Sequence, residues 1–170
     1  YLAIPGFAAN SAERCYLCRR ELFAQLEAIR KEMGFAALLD GTIAADADDY
    51  RPGLRAAAEA GVRSPLAEVG LSKAEVRGLS RKWGLPTWDR PASPCLASRI
   101  PYGEPITEEA LRMVGKAEQF LHSLGFPVVR VRHHGALARI EVPVADIPRL
   151  SAEPLRGQVA EMLHGLGYAY

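Results

Sequence analysis

The run Phe126–Val142, FPVVRVRHHGALARIEV, decides how the second half of the chain folds. Val129 and Val131 alternate with Arg130 and Arg132; beyond a turn near His134-Gly135, Ala138, Ile140 and Val142 alternate with Arg139 and Glu141. Successive side chains of a strand point to opposite faces, so this period of two predicts half-buried strands. Two such runs across a short glycine turn predict an antiparallel hairpin with one apolar and one charged face. Arg130, Arg132 and Arg139 then share a face. Clustered guanidinium forks suit a phosphate or carboxylate held bidentately, although a solvated face partly paired with Glu141 is the commoner reason for such a pattern.

The flanks of the hairpin read as helices. Thr107 caps a segment with Leu111, Val114, Phe120 and Leu121 at helical spacing that ends at Gly125, and a last amphipathic helix runs roughly from Glu153 to His164. Hairpin and helices make a small α+β domain. Immediately before it stands Pro91–Gly103, PASPCLASRIPYG, a Pro- and Ser-rich loop holding Cys95, with Ser98 and Arg99 close behind. A structural cysteine usually lies inside an apolar run; this one is flanked by turn residues, where chemistry tends to sit. A thiolate at Cys95, favoured by the nearby guanidinium, would be a nucleophile, against the alternative of a loop thiol of no consequence.

The first half alternates element types. Residues 1 to 14 are irregular, with Asn10-Ser11 able to cap the first helix. Arg14 to Met33 carries Leu22, Phe23, Leu26, Ile29 and Met33 at helical spacing, and Gly34 ends it. Phe35 to Leu39 is a short apolar run closing on Asp40-Gly41, the pattern of a buried parallel strand. After the polar loop Thr42 to Gly53 come a helix over Leu54 to Ala60 and a second short strand over Val62 to Leu66. Ser72-Lys73-Ala74-Glu75 fits a capping box opening a helix that Gly84 closes. Strand, helix, strand, helix in this order predicts an α/β unit with a parallel sheet. The expected boundaries are residues 1 to 90 for this α/β part and 91 to 170 for the α+β part.

Composition excludes several classes. With 21 basic and 20 acidic residues the net charge is +1, so no polyelectrolyte partner is announced and nucleic acid is not expected. No apolar run approaches the ~20 residues that span a bilayer. Three cysteines, Cys15, Cys18 and Cys95, are an odd number, which argues for a reducing compartment, the cytoplasm by default, rather than a disulfide scaffold. Cys15-x-x-Cys18 can clasp part of a metal site, form a redox pair, or be two ordinary small residues at a helix start. A [4Fe-4S] cluster on three thiolates with one iron open would use all three cysteines. Asp46, Asp48 and Asp49 could hold Mg²⁺ beside a nucleotide phosphate, although such a run is more often an exposed loop.

Several motifs together resemble one family: RCYLC at 14–18, DG at 40–41, DYRPG at 49–53, SPL at 64–66, GLPTWDRPA at 84–92, CLASRIPYG at 95–103, and RVRHHG with ARIEV further on. This is the LarE family, ATP-dependent sulfur transferases of nickel-pincer nucleotide cofactor synthesis, within the PP-loop superfamily. The resemblance implies the C-terminal part of a Rossmann-like adenine-nucleotide α-hydrolase domain followed by a small α+β sulfur-transfer domain. It implies a pyridinium mononucleotide substrate whose carboxylate is adenylated by ATP with Mg²⁺ and then attacked by sulfur. That sulfur comes either from Cys95 itself, leaving dehydroalanine, or through a [4Fe-4S] cluster on Cys15, Cys18 and Cys95, the version expected here. By motif position Ser98, Arg99, Arg130 and Arg132 would grip the substrate phosphate, and Glu118 would be a metal or polar contact. A homo-oligomer is expected.

The family's ATP-gripping loop, SGGxDS, is expected upstream of Tyr1, so the chain as given should hold ATP poorly alone. Thr42-Ile43-Ala44-Ala45 also departs from the TNxDD-like run expected after Gly41, which bears on nucleotide contacts by Asp46 and Asp49. The competing readings are a cluster-dependent tRNA thiolase and a non-catalytic, metal-stabilised interaction domain.

Overall fold

The computed structural model of the chain describes residues 1–48 and 51–170. Its Cα atoms fall into two compact units. The first comprises Ser11–Ala92 with Tyr1 and Ala3–Phe7, and the second comprises Ser93–Tyr170 with Leu2 and Ala8–Asn10. No helix among the described residues is long and apolar enough to cross a membrane.

In the first unit, helix α1 spans Arg14–Met33. Gly34 closes it in the left-handed region (φ 69°), which lets its N–H return to the Arg30 and Lys31 carbonyls. Helix α2, Pro52–Glu59, packs on α1 through Phe23, Ala56 and Ala57, with Tyr16, Leu26 and Val62 around them. Small residues permit the close approach: a Cβ built on Gly53 would lie 2.7 Å from Arg19 Cδ. The one-turn helix α3, Pro65–Glu68, is followed by α4, Lys73–Lys82, which opens with the expected capping box. Ser72 Oγ accepts from the Glu75 N–H, and the Glu75 carboxylate accepts from the Ser72 N–H.

Two expectations fail here. Asn10 and Ser11 do not cap α1, whose N-cap is Glu13 with no side-chain cap bond. The buried parallel strands at Phe35–Leu39 and Val62–Leu66 contract to an isolated parallel bridge between Leu39 and Arg63, with Asp40 N–H donating to the Arg63 carbonyl at 2.9 Å. Phe35 and Leu39 are 55% and 62% exposed. A parallel strand is stable when both its edges and both its faces are covered; here the bridge lacks further strands among the described residues. The expected closure of α4 is present: the helix ends at Lys82, and beyond its C-cap Trp83 the left-handed Gly84 (φ 70°) donates its N–H to the Arg81 carbonyl while the Leu85 N–H donates to the Ser80 carbonyl.

In the second unit, α5 spans Glu108–Ser123, with Thr107 Oγ1 accepting from the Ala110 N–H as predicted. The hairpin comes next: β1, Arg130–His134, pairs antiparallel with β2, Leu137–Glu141, in the register Arg130 opposite Glu141 and Arg132 opposite Arg139. Two helices complete the unit, α6 at Ile147–Ser151 and α7 at Leu155–Gly165, where one helix from Glu153 was expected. The core beneath is Met113, Ala117 and Leu121 of α5, Phe126, Val129 and Val131 before and within β1, and Val159 and Leu163 of α7. Val114, Phe126 and Val131 are fully buried, and each such side chain contributes about 1.5–3 kcal/mol on removal from water. The chain is thus α/β with an antiparallel hairpin, and that hairpin has the predicted apolar face inward.

Candidate functional site

Cys95 stands at the head of a single 3₁₀ turn, Leu96–Arg99, and its carbonyl accepts from the Ser98 N–H at 2.9 Å. Its side chain is an exposed free thiol, whereas Ala97, Arg99 and Ile100 behind it are buried. An exposed thiol on an anchored turn can reach a substrate without displacing the core.

Glu118, on α5, provides the anchor. It is 7% exposed, an unusual place for a carboxylate, and it is fully engaged. Arg99 Nε donates to one Glu118 oxygen at 2.7 Å and an Nη donates to the other at 3.0 Å. The first oxygen also accepts from the Val131 N–H at 2.9 Å. The other Nη of Arg99 donates to the Pro94 carbonyl at 3.1 Å and the Ser98 hydroxyl at 3.0 Å. One buried ion pair thereby ties the cysteine turn to α5 and to the first hairpin strand. Burying two charges costs several kcal/mol per ion unless geometry and extra hydrogen bonds compensate, and here both are present. Arg99 is spent on this anchor; its hydrogen bonds run to Glu118, Pro94 and Ser98 rather than to the Cys95 sulfur.

Arg130, Arg132 and Arg139 lie on the charged face, as the alternation predicts. Arg132 Nε donates to Glu141 at 3.0 Å, and another of its nitrogens donates to the Ser98 carbonyl at 2.9 Å. Arg139 donates to the other Glu141 oxygen at 2.8 Å. Hydrogen bonding from Arg132 first, then from Arg139, holds the Glu141 carboxyl below the usual carboxylate range despite partial burial. Arg130 is half-buried and its guanidinium makes no hydrogen bond or ion pair among the described residues. Of the three, Arg130 carries the charge that nothing on the hairpin neutralises.

Two contacts were not legible in the sequence. Asn10, fully buried and at φ 53°, donates from Nδ2 to the Pro101 carbonyl at 2.6 Å, the Glu104 carbonyl at 2.9 Å and the Ile100 carbonyl at 3.3 Å, so it clasps the segment after the cysteine turn. In the first unit Asp40 accepts from the Ser64 hydroxyl at 2.7 Å and from the Thr42 hydroxyl at 2.8 Å. The DG and SPL motifs therefore meet. Burial works against the Asp40 charge, but hydrogen bonds from Ser64 and Thr42 and the Arg19 guanidinium leave its carboxyl below its ordinary value.

Cys15 and Cys18 are half-buried, outside any disulfide and near the start of α1, in the first unit, while Cys95 belongs to the second. Among the described residues no group of three or more His, Cys, Asp or Glu side chains is placed to hold a metal ion. Asp46, a candidate Mg²⁺ ligand, is paired with Arg51 at 2.8 Å and accepts from the Ile43 N–H. Asp49 and the side chain of Asp48 lie outside the described residues.

A two-unit α/β chain with an anchored cysteine turn beside an arginine-bearing hairpin has curated relatives, although no family model matches it. It is 41% identical over its full 170 residues to the pyridinium-3,5-bisthiocarboxylic acid mononucleotide synthase of Lactiplantibacillus plantarum, covering 61% of that protein. It is 46% identical over 169 residues, 99% of the chain, to an uncharacterised protein of Synechocystis sp., covering 63% of it. A third, uncharacterised, from Methanocaldococcus jannaschii, is 31% identical over 83% of the chain and 55% of its own length. The chain spans about three-fifths of the length of the curated relatives it matches. The 41% identity to that synthase supports the LarE resemblance carried by the motifs.

Proposed function

We propose that this chain is the sulfur-handling part of an enzyme that converts an adenylated carboxylate of a pyridinium mononucleotide into a thiocarboxylate, with Cys95 as the sulfur-bearing residue. The observation that carries this reading is the Cys95 turn: an exposed free thiol on a turn locked by the buried Arg99–Glu118 pair and tied by Arg132 to the charged face of the hairpin. The named activity of the L. plantarum relative supports it.

Adenylation by ATP with Mg²⁺ makes the carboxylate a good acyl acceptor. Attack by the Cys95 thiolate expels AMP and forms a thioester. Removal of the Cys95 α-proton then breaks its Cβ–S bond, so the sulfur leaves as the thiocarboxylate and the residue becomes dehydroalanine. Arg130, unneutralised on its strand, is the residue to bind the substrate phosphate; Ser98, Arg132 and Glu118 hold the surface around it and Arg99 positions the turn. In this division residues 1–90 belong to the nucleotide-activating domain and 91–170 receive the substrate. The setting is cytoplasmic, where thiols stay reduced.

The test is intact-mass analysis of the protein after incubation with the adenylated substrate, together with iron and acid-labile sulfide content after anaerobic reconstitution. Loss of one H₂S from Cys95 in an iron-free protein supports the sacrificial route. About four irons per chain, lost in Cys15→Ala, would instead replace it with a cluster on Cys15, Cys18 and Cys95.

A further inference from the structure

Two side chains of the cysteine turn reach helix α5. Leu96 and Arg99 are the first and last residues of the 3₁₀ turn. Side chains three apart in that geometry eclipse, so both leave the turn on the same side. Arg99 ends on the buried Glu118 carboxylate, at 2.7 and 3.0 Å. Leu96 ends at Gly115: a Cβ built there would lie 3.4 Å from Leu96 Cδ1, at the short end of van der Waals contact. Gly115 and Glu118 are themselves three apart on α5, which makes them neighbours on one helix face. The turn and the helix therefore meet in step, residue 96 on 115 and residue 99 on 118.

A helix interior disfavours glycine, which gives up the most backbone freedom there and packs no side chain. Gly115 lies well inside α5 without a left-handed φ, so backbone geometry does not account for it. What it provides is the gap that Leu96 fills. Cys95 directly precedes Leu96, so the depth of that contact sets how far the thiol stands from the α5 face. The far end of the turn is fixed by the Arg99–Glu118 pair and by Arg132 on the Ser98 carbonyl at 2.9 Å. The end next to the thiol is held by Leu96 on Gly115. We propose that Gly115 is a positioning residue for Cys95: it receives Leu96 and so places the thiol against the incoming adenylated carboxylate. This rests on the sulfur-transfer reading above only for what the thiol attacks.

Iodoacetamide labelling of Cys95 in the full chain, resolved by peptide mass, tests it without any substrate. Gly115→Leu fills the gap and displaces Leu96, whereas Leu96→Ala, at a position 37% exposed and so compatible with the fold, empties it. Each single variant should label Cys95 about tenfold faster than wild type, and Leu96→Ala/Gly115→Leu, which exchanges the two volumes, should return to within about twofold, the coupling expected of side chains in contact. Lys116→Leu adds the same bulk at an exposed position of α5 and should leave the rate unchanged. With adenylated substrate, the maximal single-turnover rate of Cys95 consumption in Gly115→Leu should fall about a hundredfold at an unchanged half-saturating concentration, as for a reacting group misplaced by about 1 Å. Wild-type labelling in both single variants, additive effects in the double one, or an equal effect of Lys116→Leu overturns the proposal. Sulfur transfer at the wild-type rate in Gly115→Leu overturns it and leaves the reaction standing. Coupled labelling in a chain that transfers no sulfur from Cys95 upholds the contact at Gly115 and removes the reaction proposed above.

Discussion

Replacing Glu118 by Ala removes both partners of the Arg99 fork and the acceptor of the Val131 N–H at once. The side chains of the pair are 4% and 9% exposed, so water cannot enter to compensate without opening the structure. Breaking a buried pair by deleting one member costs about 3–5 kcal/mol, because the remaining charge stays buried and alone. Set against a total stability of about 5–15 kcal/mol, that is a large fraction. With a urea slope of about 2 kcal/mol/M, the midpoint of unfolding should fall by about 2 M, read by far-UV circular dichroism.

The double variant Arg99→Met/Glu118→Leu separates charge from contact. With both charges gone, the Val131 N–H stays buried and unpaired, a penalty of about 1–3 kcal/mol, and the part-buried Pro94 carbonyl and Ser98 hydroxyl lose a donor. The double variant should therefore be more stable than Glu118→Ala, and its Cys95 should react faster with a disulfide reagent than in the wild type because its turn has lost the Arg99 tether to Pro94 and Ser98. A Glu118→Ala protein within about 1 kcal/mol of wild type would refute the anchoring role assigned to the pair. So would a double variant no more stable than the single one.

Two further outcomes come from the contacts around the motifs. The Asp40 carboxyl is held below its unfolded value, so its contribution is present above that value and is lost as pH falls through the folded one. Urea midpoints measured from pH 5 to pH 3 should accordingly drop more steeply in wild type than in Asp40→Asn. Asn10→Ala strips donors from the Ile100, Pro101 and Glu104 carbonyls and places a Cβ-bearing residue with no compensating bond at φ 53°. It should cost about 2–4 kcal/mol and expose the 100–104 segment to limited proteolysis, whereas Asn10→Gly should recover the part due to backbone strain, about 1 kcal/mol.

What the sequence determined alone was everything that repeats at short range. Alternation over 129–142 placed the hairpin and sorted Arg130, Arg132 and Arg139 onto one face, because a strand's geometry leaves side chains only two directions. The Ser72–Glu75 box and the Thr107 cap were readable because a cap and its acceptor lie three residues apart. The motifs of the cysteine loop pointed to the LarE family. The apolar run 35–39 looked buried only because burial depends on what lies beside a strand, which its own residues do not encode; here Leu39 forms one bridge and stays exposed.

Long-range pairing was decided by the tertiary structure. Nothing near Arg99 in sequence distinguishes a substrate-gripping guanidinium from a buried anchor. Its role comes from Glu118, nineteen positions away on α5, whose carboxylate could be buried only by meeting that fork and the Val131 N–H together. Asn10 likewise shows no motif, yet it satisfies carbonyls ninety or more positions on, since buried acceptors must find donors wherever the fold provides them. The chain's chemistry-bearing residue types were local information. Which of them stay exposed and which hold the scaffold was fixed by burial, and burial belongs to the folded chain as a whole.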